Sequence, residues 1–149
     1  MVAELLVLLV LILLNGFFSL SEMALVSSRK VRLKAEADKG KKAYSLALKT
    51  RESPSRYLST IQIAITLIGI LTGTVSGTTF SQWLAQWLSK WAFFEKYAAS
   101  VSVALVVLAI TVLSVVIGEL VPKSIALHNP ERIAVLTSQN SAEGASTVK

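Results

Sequence analysis

Three long apolar blocks dominate the chain, at about residues 2–26, 57–76 and 98–121. Each is long enough to cross a bilayer as a helix, which takes about 20 mostly apolar residues. The first has the uninterrupted core Leu5–Leu14, followed by Asn15 and Gly16. The second is unusually polar for a span, carrying Thr60, Gln62, Thr66 and Thr72, and opens just after Pro54, a residue suited to the first helical position. The third is rich in Val, Leu and Ile from Val101 to Ile117. Its length argues for a helix, since a strand of that composition would stop after four to eight residues. Pro122 has no amide hydrogen and constrains Val121, so the regular helix should break or kink at its end.

The intervening polar segments differ from one another. Ser27–Ser53 mixes basic residues with Val31, Leu33, Ala37, Tyr44, Leu46 and Leu48, which predicts helical pieces broken near Gly40, lying at or below the membrane surface. In Gly77–Tyr97, Trp83, Trp87 and Trp91 recur every four residues, so this stretch reads as an amphipathic helix in the opposite interface. Asn129-Pro130-Glu131 is a helix-start signal. Residues 137–149 are small and polar and predict a disordered tail. The fold class is therefore all-α membrane protein: three transmembrane helices plus interfacial and juxtamembrane helices, forming one transmembrane domain over residues 1–136.

Charge adds orientation. Of 15 Lys and Arg, ten lie between Arg29 and Arg56, two in the second loop, and none before Arg29. The excess of basic residues belongs on the cytoplasmic side, which places the N-terminus outside and the C-terminus inside a multi-pass cell-membrane protein. The same absence of an early basic residue, with no small-residue cleavage site, argues against a signal peptide. The net charge of +6 sits where anionic headgroups would meet it, so the partner is the lipid bilayer, and no nucleic-acid role is expected. With no cysteine, disulfides, thiolate metal sites and cysteine catalysis are excluded. No nucleophile elbow, phosphate loop or zinc signature is present, so no enzyme is expected.

Two acids stand where a hydrophobic anchor has none: Glu22 near the inner end of the first span and Glu119 near the inner end of the third. An ionisable group at membrane depth is a functional hypothesis by default. The bland alternatives are that Glu22 meets water or Arg29, and that Glu119 pairs with Lys123 one turn on. Hydroxyls, carboxylates and carbonyls freed by a broken helix suit a hard cation such as magnesium, or sodium with less charge compensation. Gly69, Gly73 and Gly77 form overlapping small-xxx-small patterns that read as a packing face.

Three segments together resemble the transmembrane domain of the CorC/cyclin-M family, also labelled hemolysin-like. They are Phe17–Arg29, Leu58–Gly69 and Ile117–Ala126, in family order. The resemblance implies a homodimeric magnesium transporter or exporter module, with sodium coupling proposed. It points to a cation site built from Ser19, Ser21 and Glu22, then Gln62 and Thr66, then Gly118 and Glu119, with Pro122 and Lys123 shaping the break. Where better-studied transporters carry a second-helix Asn, this chain has Ile65. Full-length relatives continue into CBS domains that sense adenine nucleotides. These are absent here, and nucleotide regulation is not expected of this polypeptide. The alternative function is a membrane anchor and dimerisation scaffold for such domains.

Overall fold

The computed structural model describes residues 2–90 and 97–147, with backbone alone for residues 76–79 and 140–147. Its elements are α1 (Val2–Ser27), α2 (Lys30–Ala37), α3 (Lys42–Glu52), α4 (Pro54–Leu88), α5 (Ala98–Val115), a π-helical turn (Val116–Leu120), α6 (Val121–His128) and α7 (Pro130–Thr147). Among the described residues three helical stretches are long and apolar enough to span a membrane: Val2–Ser27, Pro54–Leu88 and Ala98–His128. The chain is a multi-pass membrane protein.

The membrane bundle is thin. α4 packs on both α1 and α5, and α1 also meets the π-turn, α6 and α7. The buried positions of α1 include Leu8, Ile12, Gly16, Ser19 and Ser21, while Leu5, Leu6, Leu9 and Leu13 remain more than half exposed. In water such an apolar surface would be a liability; here it is the surface that lipid covers.

Two expectations are corrected in the spanning helices. The second span does not end near Ser76 with a separate tryptophan helix after it. α4 continues unbroken to Leu88, about 50 Å at 1.5 Å per residue. Pro54 opens α4 and none follows within it, and glycine is common inside membrane helices. Trp83 and Trp87 lie exposed on this extension, and Trp91 falls outside the described residues. At the third span, the chain does not break at Pro122. The perturbation comes one turn earlier, as the π-turn, where the Val121 amide donates to the Val116 carbonyl. The axis then resumes as α6, with Pro122 accommodated in its first turn.

Below the bundle, α2 and α3 form a hairpin broken at Gly40, whose φ of 84° lies in the left-handed region that glycine enters without steric cost. Fully buried Leu33 and Ala47 pack with Val135 of α7, flanked by Tyr44 and Leu48. Arg51 of α3 reaches the end of α1, donating to the carbonyls of Ser28 and Val26 at 3.5 Å each. Cationic groups are favoured there because the last carbonyls of a helix lack partners. Glu131, in the first turn of α7, accepts from the Arg29 amide at 3.4 Å and pairs with Arg32 at 3.9 Å.

In the described residues α7 runs on to Thr147. Thr137 and Ser138 are buried, at 4% exposure each. Their hydroxyls donate to the carbonyls of Ile133 (3.0 Å) and Ala134 (2.6 Å). Small hydroxyl residues satisfied by their own helix need no water, so polarity at these positions does not imply disorder.

Candidate functional site: a carboxylate pair and a polar cavity at the inner bundle

The site begins with a missing hydrogen bond. Pro122 has no N–H to give the carbonyl four residues earlier, that of Gly118. The Asn15 side-chain amide of α1 supplies a donor instead, with Nδ2 3.0 Å from the Gly118 oxygen. Close approach makes this possible. A Cβ on Gly118 would lie 3.1 Å from Asn15 Nδ2 and 3.3 Å from the Ile12 carbonyl. A Cβ on Gly16 would lie 3.1 Å from the Pro122 ring. Two glycines, a proline and an asparagine thus lock α1 against the π-turn.

Glu119 lies within that turn and Lys123 one turn beyond. The Lys123 ammonium donates to Glu119 Oε1 at 2.6 Å and stands 3.9 Å from Glu22 Oε2 of α1. The two carboxylates sit at the same end of the bundle, and one ammonium bridges them. All three side chains are partly exposed, at 26% for Glu22, 42% for Glu119 and 31% for Lys123. The pairing of Glu119 with Lys123 across a continuous helix is what the sequence offered as the bland reading, and it is realised here.

Two depressions flank this pair. A groove of about 730 Å³ between α1 and α4 is lined by Glu22, Ser59, Gln62 and Thr66 among others. A tighter cavity of about 230 Å³ lies among α1, α4 and α5, with Asn15, Thr72, Thr111, Ser114 and Glu119 in its lining. Gly69 and Gly73 line it too, and a Cβ on either would meet nothing within 4 Å. These glycines leave open space and seat no helix of this chain.

The site residues expected from the sequence therefore divide. Glu22, Gln62 and Thr66 share the groove, Glu119 lines the cavity, and Gly118 is buried against α1 with its carbonyl held by Asn15. Ser21 is buried, its hydroxyl donating to the Phe17 carbonyl at 2.8 Å. Thr66 does the same to the Gln62 carbonyl. Ser19 is fully buried and its hydroxyl has no hydrogen-bond partner. Asn15 Oδ1 and Ser114 Oγ are likewise buried and unpartnered. Asn15 and Ser114 were missed as site residues, although Asn15 is a lone polar residue in a strongly apolar run and Ser114 lies one turn from Thr111 in another. Among the described residues no three His, Cys, Asp or Glu side chains cluster as a metal cage.

Residues 6–140 match the family described as Cyclin M transmembrane N-terminal domain. The chain belongs to that family. A Synechocystis relative, UPF0053 protein sll0260, is 52% identical over 131 residues, covering 88% of this chain and 29% of its own length. The polyamine export protein of Haemophilus influenzae is 30% identical over 125 residues, covering 84% of this chain and 29% of its own. That of Escherichia coli K12 is 38% identical over 71 residues, covering 48% and 16%. The chain spans under a third of the length of these relatives. The cyclin M match takes in all of the site: the Asn15 clasp, the carboxylate pair and the cavity lie within residues 6–140. The fold and the family match make this a transmembrane domain.

Proposed function

We propose that this cyclin M domain is the transmembrane module of a magnesium exporter, with sodium as the coupling ion. The observation that carries the reading is the cavity ending at Glu119, where the Asn15 amide oxygen and the Ser114 hydroxyl are buried without partners. Buried polar atoms in native proteins are normally satisfied, so a pair of orphan oxygens beside a carboxylate suits a guest that accepts oxygen ligands. Magnesium takes such oxygens while keeping several waters, which is why no three-carboxylate cage is needed. The neighbouring groove, with Glu22, Gln62 and Thr66, supplies a polar route at the same end of the bundle. The basic first loop puts that end in the cytoplasm and the N-terminus outside. In this reading the module is a homodimer, in which a second copy meets α4 where Gly69 and Gly73 leave open space.

The test uses the full-length protein in liposomes loaded with a magnesium-sensitive dye. Glu119→Gln and Ser114→Ala should each slow magnesium flux at least about ten-fold, the loss that follows from about 1.4 kcal/mol of lost binding. Unchanged flux in both overturns the reading.

A second reading has its own observation. The group held by both carboxylates here is a primary ammonium, that of Lys123, and the ends of a polyamine carry the same group. Two relatives bear the name polyamine export protein. Spermidine flux in the same liposomes, with no magnesium flux, would favour this cargo. If neither moves, the domain is an anchoring scaffold.

A further inference from the structure

The Lys123 side chain does more than neutralise charge. Its ammonium stands between the carboxylates of Glu22 and Glu119. Its backbone is fixed, since Pro122 beside it is buried and lies where a Cβ on Gly16 would touch it. Its head is not fixed in the same way. The stem is a flexible four-carbon chain, and the side chain keeps 31% of its surface exposed. Lysines near the ends of membrane helices readily extend toward the interface. The two acidic residues line different spaces, Glu22 the groove and Glu119 the cavity, and the Lys123 ammonium joins their carboxylates.

We infer that Lys123 is a tethered internal cation that closes the site by bridging Glu22 and Glu119, and that the transported cation opens it by displacing the ammonium. This rests on the transport reading above. A tethered competitor reduces apparent affinity in proportion to the fraction of time the site is free of it. It also imposes reciprocity: if the ammonium weakens cargo binding, cargo must weaken the ammonium's hold by the same factor. A purely structural lysine, there only to balance two acids, has no such link. Lys123 is thus a positioning and gating residue, acting through the carboxylates.

The experiment measures acylation of Lys123 in the full-length protein by an amine-reactive ester, quantified by mass spectrometry of the Lys123 peptide, with exposed Lys30 and Lys34 as internal controls. Magnesium chloride and spermidine are titrated separately, and flux is followed in parallel. Expected is a rise of about ten-fold in Lys123 acylation with the cation that is transported, with no change at the controls. Lys123→Gln should tighten the apparent affinity for that cation by a similar factor, if the site is free of the ammonium about a tenth of the time, and Lys123→Arg should restore wild-type affinity.

Flux with Lys123 acylation unchanged overturns the gate and leaves the transport reading standing. Acylation released by a cation with no flux supports the gate and overturns transport. Flux that appears only in Lys123→Gln supports the gate. Neither flux nor release in any variant overturns both.

Discussion

The Asn15 amide donates to the Gly118 carbonyl at 3.0 Å, across 103 residues of sequence, and this one bond ties the first span to the π-turn of the third. It answers a specific deficit. Pro122 cannot serve that carbonyl, and within a bilayer no water can. Asn15→Leu keeps the branched shape but removes the donor, and should lower stability by about 1 kcal/mol, the scale of side-chain hydrogen bonds between membrane helices. Thermal unfolding in detergent measures it. Because Asn15 also lines the cavity, the same variant should lose magnesium flux by more than its stability alone explains.

Four glycines of the spanning helices, Gly16, Gly69, Gly73 and Gly118, should separate into two classes. Gly16→Ala and Gly118→Ala place a methyl about 3.1 Å from Pro122 and Asn15 respectively, and should each cost ~1–3 kcal/mol through overpacking. Gly69→Ala and Gly73→Ala meet nothing within 4 Å. They should leave the unfolding temperature unchanged or slightly raised, since alanine is the better helix former by about 1 kcal/mol. Their added methyls intrude on the cavity, so flux should fall while stability does not. Equal destabilisation at all four positions would show that the cavity is closed by a neighbour, as a dimer would close it.

The sequence revealed the spans because apolar length is a property of a segment by itself. Pro54, Gly40 and Pro130 marked their boundaries because each constrains its own backbone. What it hid was relational. Glu22 and Glu119 were visible as misplaced charges, but the ammonium that joins them depends on the helix continuing past Pro122, and that depends on a π-turn with no signature of its own. Asn15 looked like a residue beside a breaker, since its partner carbonyl lies on another helix. Gly69 and Gly73 showed spacing but not whether anything would fill it. Ser138 looked like tail because hydroxyls satisfied within their own helix are indistinguishable, in sequence, from hydroxyls satisfied by water.

The juxtamembrane hairpin hangs on Leu33. Its side chain is fully buried against Ala47 and Val135, and it is the only large side chain from α2 in that cluster. Leu33→Ala removes the contacts and leaves a void, a change that typically costs 2–5 kcal/mol. Hydrogen exchange should then quicken in α2 and α3 while the spanning helices keep their protection. Loss of protection across α1 as well would mean that the Arg51 contacts to Val26 and Ser28 make hairpin and bundle one cooperative unit.

Glu36 lies outside the membrane, where Lys39 and Lys41 each approach its carboxylate at 2.5 Å. The hydrogen bonds from Lys39 and then Lys41 lower its pKa from the ordinary 4.5 to about 2, and Glu36 in turn raises that of Lys41. A carboxyl whose folded pKa is depressed binds its proton more readily when unfolded. Its contribution is therefore complete above about pH 4.5, where both states are ionised, and is lost as pH falls toward 2. The carboxylate is open to water, so salt should screen the effect strongly. Titration of the Glu36 carboxyl by NMR should give a midpoint near 2 at low salt, rising toward the ordinary carboxylate value with added sodium chloride. Lys39→Ala and Lys41→Ala should each raise the midpoint, and Lys39→Ala should do so more. A midpoint that stays at the ordinary value in the unmodified protein would mean that the two lysines do not hold the carboxylate in solution, and that α2 and α3 are joined by Gly40 and the Leu33 contacts alone.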